Sequence, residues 1–315
     1  MHLVTGGAGF IGSHIAEALV ARGERVRIVD NFSTGRVENL RGFGDRIDLI
    51  TGDLTDPDVA RACMHGVEVV YHQAALPSVP RSVSDPIATH HANVTATLNV
   101  LEAARHEGVR RVVYAASSSA YGDTATLPKV ETMPDRPRSP YAVAKLAGEH
   151  YMQVYAHVFG METVCLRYFN IFGPRQDPNS PYAAVIPRFA TDLLEGRSPT
   201  IFGDGEQTRD FTYISNAVDA NLLAAQAREV SGEVMNIACG ERISLNRLVK
   251  ILQAEIGVRK APLHAAARPG DVRDSQASIE KAKRLLGYEP QVGVEEGVAR
   301  TVAELTGASR FKRAA

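Results

Sequence analysis

Two residues in the middle of the chain have the types and the spacing needed to move a proton. Tyr141 and Lys145 lie four residues apart in a predicted helix that begins after Ser139-Pro140, so both side chains share one helical face. An unperturbed tyrosine has a pKa near ~10, whereas a neighbouring ammonium stabilises the phenolate and lowers that pKa. The pair is therefore predicted to act as a base and its activator.

A run of three serines, Ser117-Ser118-Ser119, follows a predicted strand that ends near Ala115. In open α/β sheets, ligands bind at the carboxyl ends of the strands. A serine hydroxyl beside Tyr141 would hydrogen-bond the substrate hydroxyl that loses its proton and orient it for transfer. The serines taken alone are also typical of a capped polar turn, so this hypothesis depends on their combination with Tyr141 and Lys145.

A glycine-rich segment near the N-terminus has the pattern of a dinucleotide-binding turn. It fits both GxGxxG (Gly7, Gly9, Gly12) and GxxGxxG (Gly6, Gly9, Gly12), between a predicted strand and a predicted helix. Glycines let the backbone approach a pyrophosphate, whose charge the helix N-terminus stabilises. Asp30 ends the next predicted strand, where a carboxylate binds both adenosine ribose hydroxyls and repels a 2′-phosphate. The sequence therefore predicts NAD as the cofactor.

Two further segments at predicted strand ends are candidates for the same cofactor. Asp53-Leu54 fits an adenine contact, and the segment fits equally well a helix N-cap through Thr55-Asp56-Pro57. Gln73-Ala74-Ala75 closes another strand, and its small residues would let the backbone approach the cofactor.

The elements that must position these residues alternate in type along the first half of the chain. Short β-branched runs predict strands, and apolar residues at helical spacing predict helices that stop at Gly23 and Gly108. This alternation predicts an α/β fold with a doubly wound parallel sheet. The predicted strands are Val26 to Val29, Val67 to Tyr71, Arg111 to Ala115, Thr163 to Tyr168, Phe211 to Ile214 and Val234 to Ala238.

The second half of the chain is richer in turn signals. We predict a dinucleotide-binding domain over residues 1–168 and a smaller α/β substrate domain over 169–315, with 209–240 returning to the first sheet.

Composition excludes several classes of protein. The 315 residues are 44% hydrophobic and carry 35 basic against 36 acidic side chains, which argues against disorder and against a nucleic-acid partner. The three cysteines have no metal-site spacing, so no metal is predicted. With no apolar run long enough to cross a membrane and no signal peptide, a cytoplasmic protein without a membrane partner is predicted.

Taken together, these motifs resemble the NAD-dependent sugar-nucleotide epimerase/dehydratase family of extended short-chain dehydrogenases/reductases. The resemblance covers nearly the whole chain and also includes Arg167-Tyr168-Phe169-Asn170 and Arg209-Asp210-Phe211. It is strongest to UDP-hexose 4-epimerases acting on UDP-N-acetylglucosamine. The family implies a Rossmann domain with tightly held NAD and a homodimer built on helices near 85–107 and 139–159.

The resemblance also assigns roles to individual residues. It implies Ser117, Tyr141 and Lys145 as catalytic residues. It implies NAD contacts at Gly6, Gly9, Phe10, Ile11, Gly12, Asp30, Asn31, Ser33, Thr34, Gly35, Asp53, Leu54, Gln73, Ala74, Ala75, Tyr141, Lys145 and Tyr168. It implies UDP-sugar contacts at Ser78, Ser117, Ser118, Tyr141, Asn170, Ala184, Val185, Arg209, Arg268, Asp271 and Ser275.

In the implied reaction, Tyr141 takes the proton of the C4 hydroxyl while the C4 hydride passes to NAD⁺. The bound 4-keto sugar then rotates, and the returning hydride inverts C4. Ser275 matches the family position beside the C2 substituent. A serine there leaves room for an acetamido group without excluding a glucose, so UDP-glucose and UDP-galactose are also expected to bind.

The same residues bear on four alternative functions. Dehydratases of the family carry Thr-Asp-Glu where this chain has Ser117-Ser118-Ser119, and the decarboxylases carry a glutamate at the position of Ser119, so both activities are disfavoured. A UDP-glucuronate 4-epimerase shares the catalytic residues and stays open. From another class, a non-catalytic NAD-sensing protein is disfavoured by the intact Ser117, Tyr141 and Lys145.

Overall fold

A computed structural model describes residues 1–177, 184–267 and 272–307 of the chain. The predicted substrate contacts Arg268 and Asp271 lie outside the described residues.

The described strands and helices alternate through the first half of the chain, as predicted. The strands are β1 (His2–Thr5), β2 (Val26–Asp30), β3 (Ile47–Thr51), β4 (Val69–His72), β5 (Arg111–Ser117), β6 (Glu162–Tyr168), β7 (Ile171–Phe172), β8 (Thr200–Phe202), β9 (Thr208–Arg209), β10 (Thr212–Tyr213), β11 (Glu233–Ile237), β12 (Ile243–Ser244) and β13 (Leu263–Ala265). The α-helices are α1 (Phe10–Ala21), α2 (Pro57–Met64), α3 (Val79–Ser84), α4 (Pro86–His90), α5 (Ala96–His106), α6 (Pro140–Phe159), α7 (Val185–Leu194), α8 (Ile214–Gln226), α9 (Leu245–Ile256), α10 (Glu280–Leu286) and α11 (Val294–Leu305).

Seven of the strands form one parallel sheet in the order β11-β6-β5-β4-β1-β2-β3. Strands β2 and β3 are added on one side of β1, and β4 and the later strands on the other side. The strand order therefore reverses at β1 and β4, and the carboxyl ends of these two strands define the crevice where open α/β sheets bind ligands. The doubly wound α/β fold predicted from the sequence is confirmed.

Apolar side chains cover both faces of this sheet. Helices α2 and α5 pack together and bury Leu101 and Met64 with the sheet residue Val112. On the opposite face α1 and α8 pack together, and their core runs on without a break to Phe172 and Phe189 of the second half. The burial of both faces explains why the strands are continuous apolar runs instead of alternating ones.

The chain does return to the sheet after the loop-rich region, because β11 pairs with β6. The predicted strand from Phe211 to Ile214 is shorter than expected: only Thr212–Tyr213 is extended, since Ile214 begins α8. The predicted helix ending before Gly108 contains a π-helical segment, His91–Thr95, ahead of α5. The division into two domains at residue 168 stays a prediction.

Within the described ranges, we find no helix long and apolar enough to cross a membrane.

Candidate active site

The three predicted catalytic residues come together at the carboxyl edge of the sheet. Ser117 is the last residue of β5, and Tyr141 and Lys145 occupy the first two turns of α6, which packs on β5. Helix α6 begins where the sequence predicts, because the Ser139 hydroxyl oxygen accepts a hydrogen bond from the Ala142 N–H at 3.2 Å. The Ser117 hydroxyl lies close enough to Tyr141 to act on the pKa of that tyrosine, which it lowers.

Ser117 is oriented by a second serine that the sequence analysis did not assign. The Ser117 Oγ accepts hydrogen bonds from the Ser119 hydroxyl at 2.9 Å and from the Ser119 N–H at 3.2 Å. With its oxygen accepting these two bonds, Ser117 has its own proton to donate toward Tyr141 or a substrate oxygen.

Lys145 is almost completely buried beneath this edge. Its Nζ donates to the main-chain oxygen of Ala115 at 2.9 Å and lies 4.9 Å from the centre of the Tyr114 ring. Burial lowers the pKa of Lys145 to about 7, because a low-dielectric surrounding penalises the ammonium.

The expected lowering of the Tyr141 pKa is wrong for the protein alone. Burial raises the pKa of Tyr141, and the hydrogen bond from Ser117 acts in the opposite direction. The physical reason is the placement of Lys145, whose Nζ is directed at Ala115. A cation brought by a bound cofactor would add the missing stabilisation of the phenolate.

The glycine-rich turn forms a close-packed cradle between β1 and α1. Gly6 has φ of +64°, and a Cβ at this position would lie 2.8 Å from the Cα of Ala74. A Cβ at Gly12 would lie 2.3 Å from the oxygen of Gly6. Helix α1 begins at Phe10 after Gly9 with no side-chain cap, which leaves the N–H groups of its first turn, including that of Ile11, without helical partners. An anion at this helix N-terminus would satisfy them.

Asp30, the last residue of β2, binds the loop that follows this strand through its carboxylate. Its carboxylate accepts the N–H groups of Ala8 at 2.9 Å and Phe32 at 2.8 Å, and a Cβ on Gly35 would lie 2.8 Å from both of its oxygens. Each carboxylate oxygen keeps a further lone pair for a ligand hydroxyl. The predicted contact Thr34 lies in this same loop.

Asn31 joins this loop to the segment after β3. Its side-chain oxygen accepts the N–H of Ser33 at 3.0 Å, and its Nδ2 donates to Asp53 at 2.9 Å. Burial raises the pKa of Asp53, but hydrogen bonds from Thr55 and Asn31 outweigh it and lower the value.

Asp53 is not the cap of α2, because Asp56 caps that helix by accepting the Asp58 N–H at 2.8 Å. Asp53 accepts the Thr55 N–H at 2.8 Å in the turn that leads to this cap, so the segment does contain the helix cap predicted through Thr55-Asp56-Pro57, and the adenine contact stays a prediction. The next residue, Leu54, is buried, and its main-chain oxygen accepts a hydrogen bond from Asn99 Nδ2 at 3.0 Å.

A buried histidine fixes the ends of β1 and β4. The Thr5 hydroxyl oxygen accepts the N–H groups of Gln73 and Ala74, both at 3.1 Å, and therefore gives its proton to His72 Nδ1 at 2.8 Å. The Thr97 hydroxyl donates to a main-chain oxygen, so it accepts from His72 Nε2 at 2.9 Å. His72 is thus neutral with its proton on Nε2, and its pKa is lowered to about 3 by burial and by Lys145. This network brings the predicted contacts Gln73, Ala74 and Ala75 beside the glycine turn.

Tyr168 lies at the end of β6, and its hydroxyl forms a cluster that the sequence analysis missed. It accepts hydrogen bonds from Asn221 Nδ2 at 2.7 Å and from Gln73 Nε2 at 3.2 Å. Burial raises the pKa of Tyr168 to about 12, so its hydroxyl stays protonated.

A cavity of 240 Å³ lies in the second half of the chain, and we call it the Arg209 cavity. Four predicted substrate contacts line it together: Asn170, Ala184, Val185 and Arg209. The remaining lining residues were not predicted; they are Ile171, Phe172, Ile186, Arg188, Phe189, Phe202, Gln207, Phe211 and Leu245. They come from short strands and from the helices α7 and α9, and no periodic signal in the sequence groups such separate segments in advance.

Arg209 and Asn170 are held in place at this cavity. Arg209 Nη1 donates to the main-chain oxygens of Thr208 at 2.8 Å and Arg273 at 2.9 Å. Asn170 has a left-handed φ of +39°, and its Nδ2 donates to the main-chain oxygen of Asp210 at 2.9 Å.

Three further predicted contacts lie on separate segments. Ser78 caps α3 by accepting the Arg81 N–H at 3.1 Å, Ser118 begins the short 3₁₀ turn after β5, and the Ser275 N–H donates to Thr208 at 3.1 Å. Ser275 therefore lies next to the strand that carries Arg209. Across the described residues, no group of three or more His, Cys, Asp or Glu side chains could hold a metal ion.

Comparison with known proteins gives consistent results. A model of the NAD-dependent epimerase/dehydratase family matches residues 2–238. A protein of Methanocaldococcus jannaschii named as a putative UDP-glucose 4-epimerase is 40% identical over 304 residues, covering 96% of this chain and 97% of that protein. A UDP-glucuronate 4-epimerase of Thermodesulfobacterium geofontis is 33% identical over 311 residues, covering 96% of this chain and 94% of that protein.

A solved structure agrees over the same length. The UDP-N-acetylglucosamine 4-epimerase of Methanobrevibacter ruminantium M1, in complex with UDP-N-acetylmuramic acid, is 38% identical, with a TM-score of 0.93 over 97% of this chain and 98% of its own. The names of these similar proteins differ in the sugar, so similarity alone does not assign one.

Proposed function

Since the chain belongs to the NAD-dependent epimerase/dehydratase family, we propose that it interconverts UDP-N-acetylglucosamine and UDP-N-acetylgalactosamine, with UDP-glucose and UDP-galactose as further substrates. The broader activity, that of an NAD-dependent UDP-sugar 4-epimerase, is supported by the names of the three similar proteins described above. The observation that carries the proposal is the grouping of Ser117, Tyr141 and the buried Lys145 at the edge of the sheet that bears the glycine cradle.

The residues present fit NAD. The cradle at Gly6 and Gly12 has no room for a Cβ, and the uncapped N-terminus of α1 faces the crevice between β1 and β4. We propose that this helix end binds the pyrophosphate and that Asp30 binds the adenosine ribose. Bound NAD⁺ supplies the hydride acceptor, and after reduction the hydride donor, for C4 of the sugar.

The protein's own residues handle the proton. Ser117 donates a hydrogen bond to the sugar O4 and orients it, and Tyr141 accepts the O4 proton at its phenolate oxygen. After the bound 4-keto sugar has rotated within the site, Tyr141 returns that proton to O4. Lys145 contributes its charge from beneath the pair, held by Ala115.

The choice of sugar rests on Ser275. Its N–H donates a hydrogen bond to the main-chain oxygen of Thr208, next to Arg209. We propose that the Arg209 cavity binds the nucleotide part of the substrate, because four predicted UDP-sugar contacts line it. A serine side chain at the C2 substituent would leave volume for an acetamido group, and a roomy pocket discriminates little against the smaller glucose.

The proposal is tested by following the anomeric protons of UDP-N-acetylglucosamine, UDP-glucose and UDP-glucuronate separately by NMR, with purified protein and no added NAD. A UDP-N-acetylgalactosamine signal that grows to a stable mixture would support the proposal. Conversion of UDP-glucuronate alone would overturn the choice of sugar and keep the 4-epimerase chemistry. No conversion of any of the three, with NAD added, would overturn the proposed function.

A Ser275→Tyr variant tests the choice of sugar within the same assay. The larger side chain is expected to remove conversion of UDP-N-acetylglucosamine and to keep that of UDP-glucose. Ser278→Ala, in the same segment, is the matched control and is expected to convert both. Equal loss of both sugars in Ser275→Tyr would contradict the proposed role of Ser275.

We further propose that the protein is a homodimer formed through α3, α4 and α6. Val83 and Ile87 are 66% and 70% exposed, and Val143, Val154 and Val158 on one stripe of α6 are 54%, 49% and 61% exposed. Helices α3 and α4 both contact α6, so these exposed apolar side chains lie on adjacent helices, and exposed apolar residues grouped in this way mark an interface.

A further inference from the structure

A buried carboxylate outside the catalytic group joins the separate segments around the Arg209 cavity. Asp210 is completely buried. Its Oδ1 accepts the N–H of Cys239 at 3.0 Å, and its Oδ2 accepts the N–H groups of Gly240 and Ala277, both at 3.1 Å. Two loops that are distant in sequence are thereby attached to one side chain.

The main chain of the same residue reaches the cavity directly. The Asp210 carbonyl oxygen accepts the Asn170 Nδ2 at 2.9 Å. Arg209 precedes Asp210 in the chain and Phe211 follows it, and both residues line the cavity. Asn170 also lines the cavity. Asp210 therefore connects three cavity-lining residues to the loops at 239–240 and 275–278.

The second of these loops carries Ser275, two residues before Ala277. The Gln276 side chain ties the loops to each other, since its Nε2 donates to the Gly240 oxygen at 2.8 Å. The loop is also fixed on its other side, where the main-chain N–H of Lys129 donates a hydrogen bond to the main-chain oxygen of Gln276 at 2.7 Å. A shift of Asp210 would thus move both the cavity wall and the segment assigned to the sugar.

Asp210 has no ion-pair partner among the described residues. Burying a carboxylate without a cation is costly unless hydrogen bonds replace its water, and here three main-chain N–H groups do so. Burial raises the pKa of Asp210 to about 7, and the three N–H groups act against that rise by stabilising the charged form. The cost of burying this carboxylate is explained if Asp210 holds the two loops and the cavity wall in place.

We propose that Asp210 is a positioning residue for the substrate, which sets the geometry of the nucleotide cavity and of the Ser275 loop without touching the reacting atoms. This inference rests on the proposed UDP-sugar function. It predicts that loss of the carboxylate weakens the binding of UDP and of the UDP-sugar together, while the chemical step at Ser117, Tyr141 and Lys145 continues.

The test is an Asp210→Asn variant of the full chain with its NAD, measured by titration calorimetry with UDP alone and by initial rates with the UDP-sugar. Asparagine replaces one of the two carboxylate oxygens with an NH₂ group. In either orientation this nitrogen faces a main-chain N–H group and cannot accept its hydrogen bond, so at least one of the three bonds is lost. We expect the Kd for UDP and the KM to rise about tenfold, the loss expected when a buried hydrogen bond is broken and its partner left unsatisfied. We expect kcat and the bound NAD content to stay near those of the unaltered protein.

Asp219→Asn, a partly buried aspartate on α8 outside the cavity, is the matched control and is expected to bind UDP normally. Unchanged Kd and KM in Asp210→Asn, or a fall in kcat with unchanged KM, would overturn the inference. If the unaltered protein does not bind UDP, the proposed function fails first and the inference falls with it.

A milder variant keeps the test decisive if Asp210→Asn does not fold. Gln276→Ala removes the bond between the two loops from a side chain that is only partly buried. It is expected to raise the Kd for UDP about threefold, in line with one ordinary hydrogen bond, and to leave kcat unchanged. An unchanged Kd in Gln276→Ala, together with a misfolded Asp210→Asn, would also overturn the inference.

Discussion

Glu149 and Arg167 form a two-point ion pair inside the protein, with Arg167 Nε 2.9 Å from Glu149 Oε2 and Nη2 2.5 Å from Oε1. Both side chains are 3% exposed. Glu149 lies one helical turn beyond Lys145 on α6, and Arg167 pairs in register with Ala116, the residue before Ser117. The pair thus fastens the helix of Tyr141 and Lys145 to the sheet beside Ser117.

Removing Glu149 is expected to destabilise the protein. A Glu149→Ala variant leaves Arg167 buried with Asp135 as its remaining carboxylate partner, and breaking a buried pair in this way lowers the free energy of unfolding by about 3 kcal/mol. Chemical unfolding measures the change. Glu295→Ala, which breaks the exposed pair with Arg247, is the control, and its effect is expected to stay below about 1 kcal/mol. Equal effects of the two variants would contradict this account.

Loss of the Tyr141 hydroxyl is expected to stop the chemistry and to spare binding. Tyr141→Phe keeps the ring and removes the proton acceptor, so kcat is expected to fall about 10²-fold to 10⁴-fold. NAD content, measured after heat release, and the Kd for UDP are expected to match those of the unaltered protein. Tyr151→Phe, farther along α6, is a control that keeps its activity. Full epimerase activity in Tyr141→Phe would remove Tyr141 from the mechanism.

Acid is expected to unfold the protein partly through His72. Its pKa is lowered to about 3 by burial and by Lys145, against 6.5 for an ordinary histidine. Between these values the unfolded chain binds a proton that the folded protein does not, so stability falls as the pH drops below about 6.5. The contribution of one such group is about 1.4 kcal/mol per pH unit.

Unfolding free energies between pH 7 and pH 4 measure that slope. His72→Gln, which cannot titrate, is expected to show a shallower slope than the unaltered protein, whatever its stability at neutral pH. His65→Gln, whose side chain is 88% exposed, is expected to leave the slope unchanged. The same slope in all three proteins would show that His72 is not the group responsible.

The proposed dimer predicts the effect of a charge on its surface. Ile87→Glu places a carboxylate where the second subunit would bury an isoleucine, so the protein is expected to become monomeric. Light scattering after gel filtration gives the mass directly. Leu263→Glu, at another exposed apolar position on β13, is expected to stay dimeric. A monomeric unaltered protein would disprove the dimer.

The sequence by itself predicts the fold class and much of the cofactor cradle. Glycine spacing, a strand-end aspartate and the helix start at Ser139-Pro140 are local signals, because backbone conformation and capping depend on residues near in the chain. For that reason the bounds of β2, β5, β6, α1 and α6 agree closely with the predictions. The alternation of strands and helices then limits the arrangement to a parallel sheet.

Only the tertiary structure decides how the distant residues act on one another. Lys145 is directed at Ala115 instead of lowering the pKa of Tyr141. The Arg209 cavity and the hydrogen bonds of Asp210 join segments with no shared period in the sequence. Burial and long-range hydrogen bonding depend on what packs on a residue, and that is set by the whole fold.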